Sequence, residues 1–173
     1  MRKNIFYLII LLFFAFIFTI FYIGLDKPNF YTPKEIKNKS LEEFTSTELF
    51  SNEQFSSSDI IENNKFTLVN IWSSWCVPCK LEHSVLMDLS EKTDLNIVGL
   101  NYKDKKNNAI KFLNELGNPF SKILTDPDGI ISISLGAYGV PETFLLNNKS
   151  KIIRKYIGPL TKENILEIIK IIK

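Results

Sequence analysis

Both cysteines of the 173-residue chain lie in one short stretch, "NIWSSWCVPCKLEHS", as Cys76 and Cys79. Two sulfurs this close in sequence have three uses: a structural crosslink, part of a metal site, or a redox pair. A structural disulfide stabilises a protein most when it closes a long loop. A bond between these cysteines encloses only Val77 and Pro78. A crosslink that serves stability alone is therefore the weakest of the three interpretations.

A metal site is the second alternative. A closed zinc site needs four Cys or His ligands, and the chain has two Cys and one His. Two thiols and one imidazole are enough to bind copper, as a membrane-tethered copper-binding chaperone would. On a helix that begins at Cys76, however, His83 lies about two turns, roughly 10 Å, along the axis from the first sulfur. We therefore expect no metal site, and we expect His83 to face solvent or to pack against another element.

Thiol–disulfide exchange is the interpretation that the surrounding pattern favours. The apolar stretch "KFTLVNIW" predicts a buried strand that runs directly into a helix beginning at Cys76. A cysteine at a helix N-terminus faces unpaired N–H groups and the positive end of the helix dipole, and both favour the thiolate. Pro78 fits the first helical turn, whose N–H groups have no helical partner. We expect Cys76 to attack a client disulfide, the more buried Cys79 to resolve the mixed disulfide, and no cofactor beyond this redox-active pair.

The rest of the sequence predicts the elements that hold the cysteines. A second apolar strand, "LNIVGLNY", and two short strands, "ETFLLN" and "KIIRKYIG", alternate with helical patterns in the order β-α-β-α-loop-β-β-α. This order predicts an α/β domain with a mixed central sheet that is covered by helices on both faces. The predicted buried residues of its helices are Leu81, Val85, Leu86 and Leu89, then Ala109, Phe112, Leu113 and Leu116, and last Ile165, Ile168, Ile169 and Ile172 after a Thr161 cap.

The N-terminal sequence predicts a membrane anchor. Residues Ile5 to Leu25 carry no charge, and a helix of that length spans roughly 30 Å, the thickness of the bilayer hydrocarbon. A cleaved signal peptide is the alternative, but its apolar core is shorter and is followed by a small-x-small cleavage site, which this stretch does not offer. Arg2 and Lys3 precede the run, so the positive-inside bias keeps the N-terminus in the cytoplasm.

The predicted organisation is therefore a cytoplasmic N-terminus at residues 1–4, a transmembrane helix at 5–25, a polar tether at 26–45 and an exported domain at 46–173. The tether leads into an edge segment that contains a short hairpin. Hydrophobic residues make up 45% of the chain and its net charge is +2. This balance is that of an ordinary globular domain, and the charge is too mild to predict binding to nucleic acid.

The cysteine stretch and three later segments resemble a known family. The stretches "WCVPCK" and "GVPETFLL" are similar to the active site and the partner loop of thioredoxin. In order, "NIWSSWCVPCKLEH", "VGLNYKDKKNNAIKFLNELGNPF", "DPDGIISISLGAYGVPETFLL" and "YIGPLT" resemble the membrane-anchored oxidoreductases of cytochrome c maturation, the CcmG or DsbE group. The resemblance implies a thioredoxin-like fold in which Pro141 lies against the cysteines and the Val140–Pro141 bond is cis.

The same resemblance implies a function and a location. The domain would act in the periplasm, on a single-pass anchor in the bacterial inner membrane. It would reduce a disulfide of apocytochrome c, or of a maturation partner, before haem attachment. A membrane electron donor of the DsbD or CcdA type would supply the reducing equivalents. A periplasmic reductase of broader specificity and a non-catalytic docking module remain alternatives.

Several side chains are expected to shape the site. Trp75 would offer an apolar docking surface, whereas Trp72 is explained equally well as a core residue. The resemblance places Glu82 and Glu142 near the sulfurs, where a carboxylate disfavours the thiolate, raises the thiol pKa and makes the couple more reducing. A place on the solvated face of its helix is the alternative for Glu82. The residues expected around the two catalytic cysteines are Trp75, Val77, Pro78, Pro141, Glu82 and Glu142.

Overall fold

The computed structural model describes residues 2–25, 39–61 and 65–173, as an N-terminal helix and a separate folded domain. Helix α1 (Arg2–Leu25) contains the predicted transmembrane segment. Over Asn4–Ile23 it is long and apolar enough to cross a membrane, a criterion that a signal sequence near the N-terminus also meets. Most of the predicted tether, residues 26–38, lies outside the described residues.

The described part of the domain begins at residue 39, within the predicted tether. Two short strands, β1 (Thr45–Thr47) and β2 (Gln54–Ser56), pair antiparallel as the predicted hairpin. Before them, Leu41 is buried, and its N–H donates to the carbonyl oxygen of Ser150 at 2.7 Å. Contacts of the folded domain therefore extend before the predicted boundary at residue 46, because these backbone groups find partners on its edge.

Five further strands form the central sheet. They are β3 (Phe66–Trp72), β4 (Asn96–Tyr102), β5 (Lys122–Asp126), β6 (Glu142–Asn147) and β7 (Ile152–Ile157). The order across the sheet is β5-β4-β3-β6-β7. The first three of these strands are parallel to one another, whereas β6 pairs antiparallel with both β3 and β7. The mixed sheet that the sequence predicts is thus confirmed.

The described part of the domain contains four helices, and they are distributed unevenly over the sheet. They are α2 (Val77–Lys92), α3 (Lys106–Leu116), α4 (Ile130–Ser134) and α5 (Lys162–Ile172). Successive residues of a strand point to opposite faces, so Leu68 and Trp72 of β3 pack with α2, α3 and α5, whereas Val69 and Ile71 face the other way. The second face is covered by residues 41–61 and the short α4 rather than by long helices.

Helices α3 and α5 follow their predicted patterns. The buried residues of α3 are Ala109, Phe112 and Leu113. The hydroxyl of Thr161 accepts from the N–H of Asn164, so the predicted cap of α5 is present, and Ile168 is fully inaccessible to solvent. Local periodicity and capping are therefore sufficient to place both helices.

Helix α2 buries Leu86 and Leu89 as predicted, but the rest of its buried face differs from the prediction. Leu81 was predicted to be buried and is 71% exposed. The buried residues of α2 are Cys79, Glu82, His83, Leu86 and Leu89. These positions follow Cys79 at i+3, i+4, i+7 and i+10, so the second cysteine lies on the helix face that packs against the sheet. Two of the residues on that face, Glu82 and His83, are charged or polar, which is why the hydrophobic pattern alone identified only its second half.

Strand β5 and helix α4 were predicted as loop. The strand has five residues and lies at the edge of the central sheet, where it pairs with β4 alone among the central strands. The helix has five residues, too few for a periodic signal. The carboxylate of Asp126 accepts from the N–H groups of Ile131 and Ser132 and so holds the start of α4. Pairing with β4, which is distant in sequence, defines β5, whereas hydrogen bonds to the nearby Asp126 side chain, rather than a periodic pattern, define α4.

Candidate active site

The two cysteines are joined by a disulfide at the N-terminus of α2. Cys76 occupies the N-cap position, and the N–H of Cys79 donates to its Sγ at 3.1 Å. The Cα atoms are 5.3 Å apart. Cys76 is 4% exposed and Cys79 is 2% exposed, so the expected difference in burial is small in the disulfide form. What distinguishes Cys76 is the backbone N–H that points at its sulfur, because such a donor favours the thiolate over the thiol.

The side chains next to the cysteines form an exposed apolar surface. Trp75 is 57% exposed, and Val77 and Pro78 are also exposed. The indole N–H of Trp75 donates to the carbonyl oxygen of Lys103 at 3.0 Å, so this exposed ring has a fixed anchor. Trp72 is instead a core residue, since its ring stacks against that of Phe120 with centroids 5.5 Å apart.

The turn before Cys76 is held by Asp104, a residue that the sequence did not single out. One carboxylate oxygen accepts from the N–H of Ser74 at 2.6 Å, and the other accepts from the Ser74 hydroxyl at 2.8 Å. Asn101 Nδ2 also donates to this carboxylate, at 3.1 Å. Burial opposes ionisation of Asp104, but these hydrogen bonds together outweigh it and lower the pKa. The available signal was an acidic residue directly after strand β4, at the edge of the sheet where the cysteines lie.

Pro141 lies at the same edge of the sheet. The Val140–Pro141 bond is cis, as the resemblance implies. The next residue, Glu142, pairs with Ile71 across the β3–β6 ladder. Pro141 therefore comes to the end of β3, from which the chain turns towards the cysteines. Val140 packs against the hydrophobic cluster that contains both sulfurs.

Glu82 is buried and belongs to a polar network inside the domain. Its carboxylate accepts from Asn70 Nδ2 at 2.9 Å and from the N–H of Leu160 at 2.7 Å. Asn70 Nδ2 also donates to the hydroxyl of Thr143 at 2.9 Å. Burial raises the pKa of Glu82 to about 7, although the hydrogen bonds from Leu160 and Asn70 act in the opposite direction. The alternative that Glu82 lies on a solvated helix face is wrong.

Glu142 is buried as well, but it has a counter-charge. One of its oxygens accepts from the N–H groups of Tyr138 at 2.7 Å and Gly139 at 3.1 Å. The other oxygen lies 2.8 Å from Nζ of Lys155 on strand β7. The sequence predicted the same electrostatic role for Glu82 and Glu142. The structure separates them, because only Glu142 has a lysine partner among the described residues.

His83 packs inside the domain, so the solvent-exposed alternative is wrong. Its Nε2 lies 3.0 Å from the carbonyl oxygen of Gly117, and its ring meets that of Phe112 edge-on with centroids 5.0 Å apart. Burial lowers its pKa, although the hydrogen bond to Gly117 acts in the opposite direction. Within residues 2–25, 39–61 and 65–173 no group of three His, Cys, Asp or Glu side chains is arranged to hold a metal ion. The copper interpretation thus receives no support from the one imidazole of the chain.

Fold and site together define a class of protein. Residues 36–169 match the Redoxin family. A solved DsbF homologue from Corynebacterium diphtheriae superposes with a TM-score of 0.67 at 24% identity, over 83% of this chain and 95% of that one. It shares the fold. The chain belongs to the redoxin family, and its Cys-Val-Pro-Cys turn at the start of a helix is the type of site that thiol–disulfide oxidoreductases use.

More similar sequences define the branch of the family. A Pasteurella multocida protein named "Probable thiol:disulfide interchange protein DsbE-2" is 36% identical over 162 residues, which are 94% of this chain and 85% of that one. The thiol:disulfide interchange protein CycY of Rhizobium leguminosarum is 48% identical over 103 residues, which are 60% of this chain and 55% of that one. Within the redoxin family, the chain therefore belongs to the thiol:disulfide interchange proteins of the DsbE and CycY type.

Proposed function

We propose that this protein is a membrane-anchored thiol:disulfide oxidoreductase that reduces a disulfide of apocytochrome c, or of a cytochrome c maturation partner, before haem attachment. The observation that carries the chemistry is the N–H of Cys79, which points at Sγ of the N-cap residue Cys76 from 3.1 Å. The choice of client is supported by the order of the four sequence segments that resemble the oxidoreductases of cytochrome c maturation.

The reaction begins from the dithiol form. The Cys76 thiolate attacks one sulfur of the client disulfide, forms a mixed disulfide and releases the other client sulfur as a thiolate. The Cys79 thiolate then attacks the Cys76 sulfur, which forms the Cys76–Cys79 bond and releases the first client sulfur. Two electrons pass to the client, and the bonded cysteines are the product of this half-reaction. A membrane dithiol carrier of the DsbD or CcdA type returns two electrons and restores the dithiol.

Glu82 is the proposed proton acceptor for the second step. It follows Cys79 by three residues on the buried face of α2, so the two Cβ atoms are about 5–6 Å apart. With a pKa of about 7, its carboxyl group exchanges protons at neutral pH. It can therefore take a proton from the Cys79 thiol as that sulfur becomes the nucleophile.

The client would bind over the exposed surface beside the cysteines. Trp75, Val77 and Pro78 present apolar atoms to solvent there. Pro141 reaches the same edge of the sheet from the other side of β3. A client segment that contains a disulfide would lie between these two sides, with its sulfur in line with Cys76.

The proposed location is the inner membrane, with α1 as an uncleaved anchor, the N-terminus in the cytoplasm and the domain in the periplasm. The length and apolar character of Asn4–Ile23 support this proposal. Extraction of membranes at alkaline pH is the test. An anchored chain stays in the membrane pellet at its full mass of 20.0 kDa, whereas a cleaved signal peptide would release a smaller protein into the supernatant.

Client identity is tested by trapping. The variant Cys79→Ala cannot resolve the mixed disulfide, so its clients stay attached to Cys76 and are identified after non-reducing electrophoresis of the membranes. We expect a c-type apocytochrome or a haem-ligation component. The matched control, Cys76→Ala, should trap neither. Capture of many unrelated exported proteins would support the broader reductase instead, and an empty trap with an alkylatable Cys76 would contradict the proposed function.

A further inference from the structure

Lys155 is a lysine inside the domain that contacts the residues on both sides of Pro141. Its side chain is 9% exposed. Nζ lies 2.8 Å from the Glu142 carboxylate, donates to the carbonyl oxygen of Gly136 at 2.7 Å, and stands 4.1 Å from the centroid of the Tyr138 ring. An almost fully buried ammonium is costly unless it is paired and hydrogen-bonded. Lys155 meets both conditions, because it is paired with Glu142 at the start of β6 and hydrogen-bonded to Gly136 in the loop before Pro141.

Glu142 holds the same loop through its second oxygen. That oxygen accepts from the N–H groups of Tyr138 and Gly139. The ion pair of Glu142 and Lys155 therefore contacts residues 136–139 through a carbonyl oxygen, an aromatic ring and two N–H groups. The pair is itself fixed by the sheet, since Phe144 lies opposite Lys155 and Glu142 lies opposite Ile157 in the β6–β7 ladder.

The Glu142 partner of the pair lies at the edge of the sheet from which the chain enters the cysteine turn. Glu142 pairs with Ile71 of β3, and the chain passes from that strand into the turn that contains Cys76. Paired residues of antiparallel strands have Cα atoms about 4.5–5.5 Å apart. An unbalanced charge at Glu142 would act on the sulfurs through protein, where screening is weaker than in water. As long as Lys155 is present, the net charge at this position is close to zero.

We propose that Lys155 is a positioning residue of the redox centre, which holds the loop before Pro141 and cancels the Glu142 charge that would otherwise act on the Cys76 thiolate. The inference rests on the proposed function and deepens it, because it names a residue on strand β7 that sets the dithiol–disulfide equilibrium of the same site. Nothing in the cysteine motif or its neighbours in sequence points to this residue.

The direction of the effect follows from the sign of the charge left behind. Lys155→Met leaves a carboxylate, which disfavours the thiolate in the dithiol form and shifts the couple towards the disulfide. Glu142→Gln leaves an ammonium, which favours the thiolate and shifts the couple towards the dithiol. The double variant leaves neither charge, so its equilibrium should return close to that of the unmodified chain.

The experiment is a glutathione equilibrium of the full chain in detergent. In this reaction the protein disulfide and two glutathione thiols exchange with the protein dithiol and one glutathione disulfide, so atoms and electrons balance. We expect Lys155→Met to lower the equilibrium constant about three- to tenfold, and Glu142→Gln to raise it by a similar factor. Lys155→Arg keeps the charge and should restore most of the original value. Lys149→Met removes a lysine from the exposed β6–β7 turn and is the matched control, with no measurable change.

Two results would overturn the inference. One is a shift in the same direction for Lys155→Met and Glu142→Gln, since loss of packing rather than charge would then be the cause. The other is an equilibrium in both variants equal to that of Lys149→Met. Thermal unfolding of each variant identifies any that does not fold, and the double variant then supplies the comparison. Client trapping by Cys79→Ala does not depend on Lys155, so failure of the inference is distinguished from failure of the proposed function.

Discussion

Among the described residues, two buried glutamates lie at the cysteine end of this domain, and only one of them has a lysine partner. Glu82 on α2 has hydrogen bonds from Asn70 and Leu160 but no ion pair among the described residues. Glu142 on β6 has hydrogen bonds from two backbone N–H groups and, in addition, Lys155. Both side chains are buried to a similar extent, so the presence or absence of a lysine is what distinguishes their surroundings.

Glu82 and Glu142 therefore have different roles, although both lie at the cysteine end of the domain. Burial without a counter-charge raises the pKa of Glu82 to about 7, so this group can give and take a proton at neutral pH. Glu142 has a permanent partner, so it serves to hold the loop before Pro141. Distance from the sulfurs thus says little about what an acidic residue does there. The charges and donors that face it decide its role.

The largest effect should come from breaking the ion pair. Glu142→Ala leaves the ammonium of Lys155 buried and the N–H groups of Tyr138 and Gly139 without their acceptor. We expect the free energy of unfolding to fall by about 3–5 kcal/mol, the usual cost of leaving one partner of a buried pair alone. Denaturant unfolding of the disulfide form measures this change.

Glu115→Ala is the matched control for Glu142→Ala. Glu115 lies 3.8 Å from Lys111 on the exposed side of α3. An exposed pair of this kind contributes about 0–1 kcal/mol. Equal losses in the two variants would show that Glu142 is not held by a buried pair, and the comparison would fail.

Substitution of Glu82 should change the free energy of unfolding by a smaller amount than substitution of Glu142, and in the opposite direction. Its pKa is raised from the usual 4.5 to about 7 in the folded state, so between these values the unfolded chain releases a proton that the folded chain retains. The contribution of Glu82 to stability is therefore favourable at low pH, falls as the pH rises from about 4.5 to about 7, and is constant above. The difference is about 3 kcal/mol at most.

Glu82→Gln removes this pH dependence. We expect the variant to be more stable than the unmodified chain by about 2–3 kcal/mol at pH 8, and no more stable at pH 4. The oxygen of a Gln amide can still accept from the N–H of Leu160. Unfolding curves at both pH values test this, and equal stability differences at pH 4 and pH 8 would contradict it.

Substitution of Asp104 should change the free energy of unfolding least. This carboxylate differs from Glu82 and Glu142 in being partly exposed. Its hydrogen bonds outweigh its burial and lower its pKa, so its stabilisation is present at neutral pH and is lost as the pH falls through the folded-state pKa. Because the carboxylate is partly exposed, solvent screening keeps the cost of Asp104→Asn near 1 kcal/mol at pH 7. Asp128→Asn, in an exposed turn, is the control. A cost that does not decrease as the pH is lowered would show that shape, and not charge, holds Ser74.

Much of the fold was predictable because its signals are local. The apolar run of β3 leads into Cys76, and the cap at Thr161 precedes a stripe of isoleucines, so the sequence alone places β3, α2 and α5. Strand β5 and helix α4 could not be found in this way. Each has five residues, and each is defined by contacts with β4 or with Asp126, which a search for periodicity does not see.

At the site, too, the residues with local sequence signals were predictable and those defined by tertiary contacts were not. Cys76 and Cys79 were predictable because their chemistry depends on their spacing and on the helix that follows. The pairing of Glu142 with Lys155 was not, because it depends on the register between β6 and β7, which only the folded sheet reveals. Asn70 did leave a signal, since it is the one amide side chain in an otherwise apolar strand pattern, "KFTLVNIW".

The central claim is that Cys76, and not Cys79, is the attacking thiolate. Brief treatment of the reduced full chain with a limiting amount of iodoacetamide at neutral pH, followed by mass spectrometry of the peptides, tests it most directly. The N–H that points at Sγ of Cys76 predicts that nearly all the label is on Cys76. Label shared equally between the two cysteines, or found mainly on Cys79, would contradict the assignment.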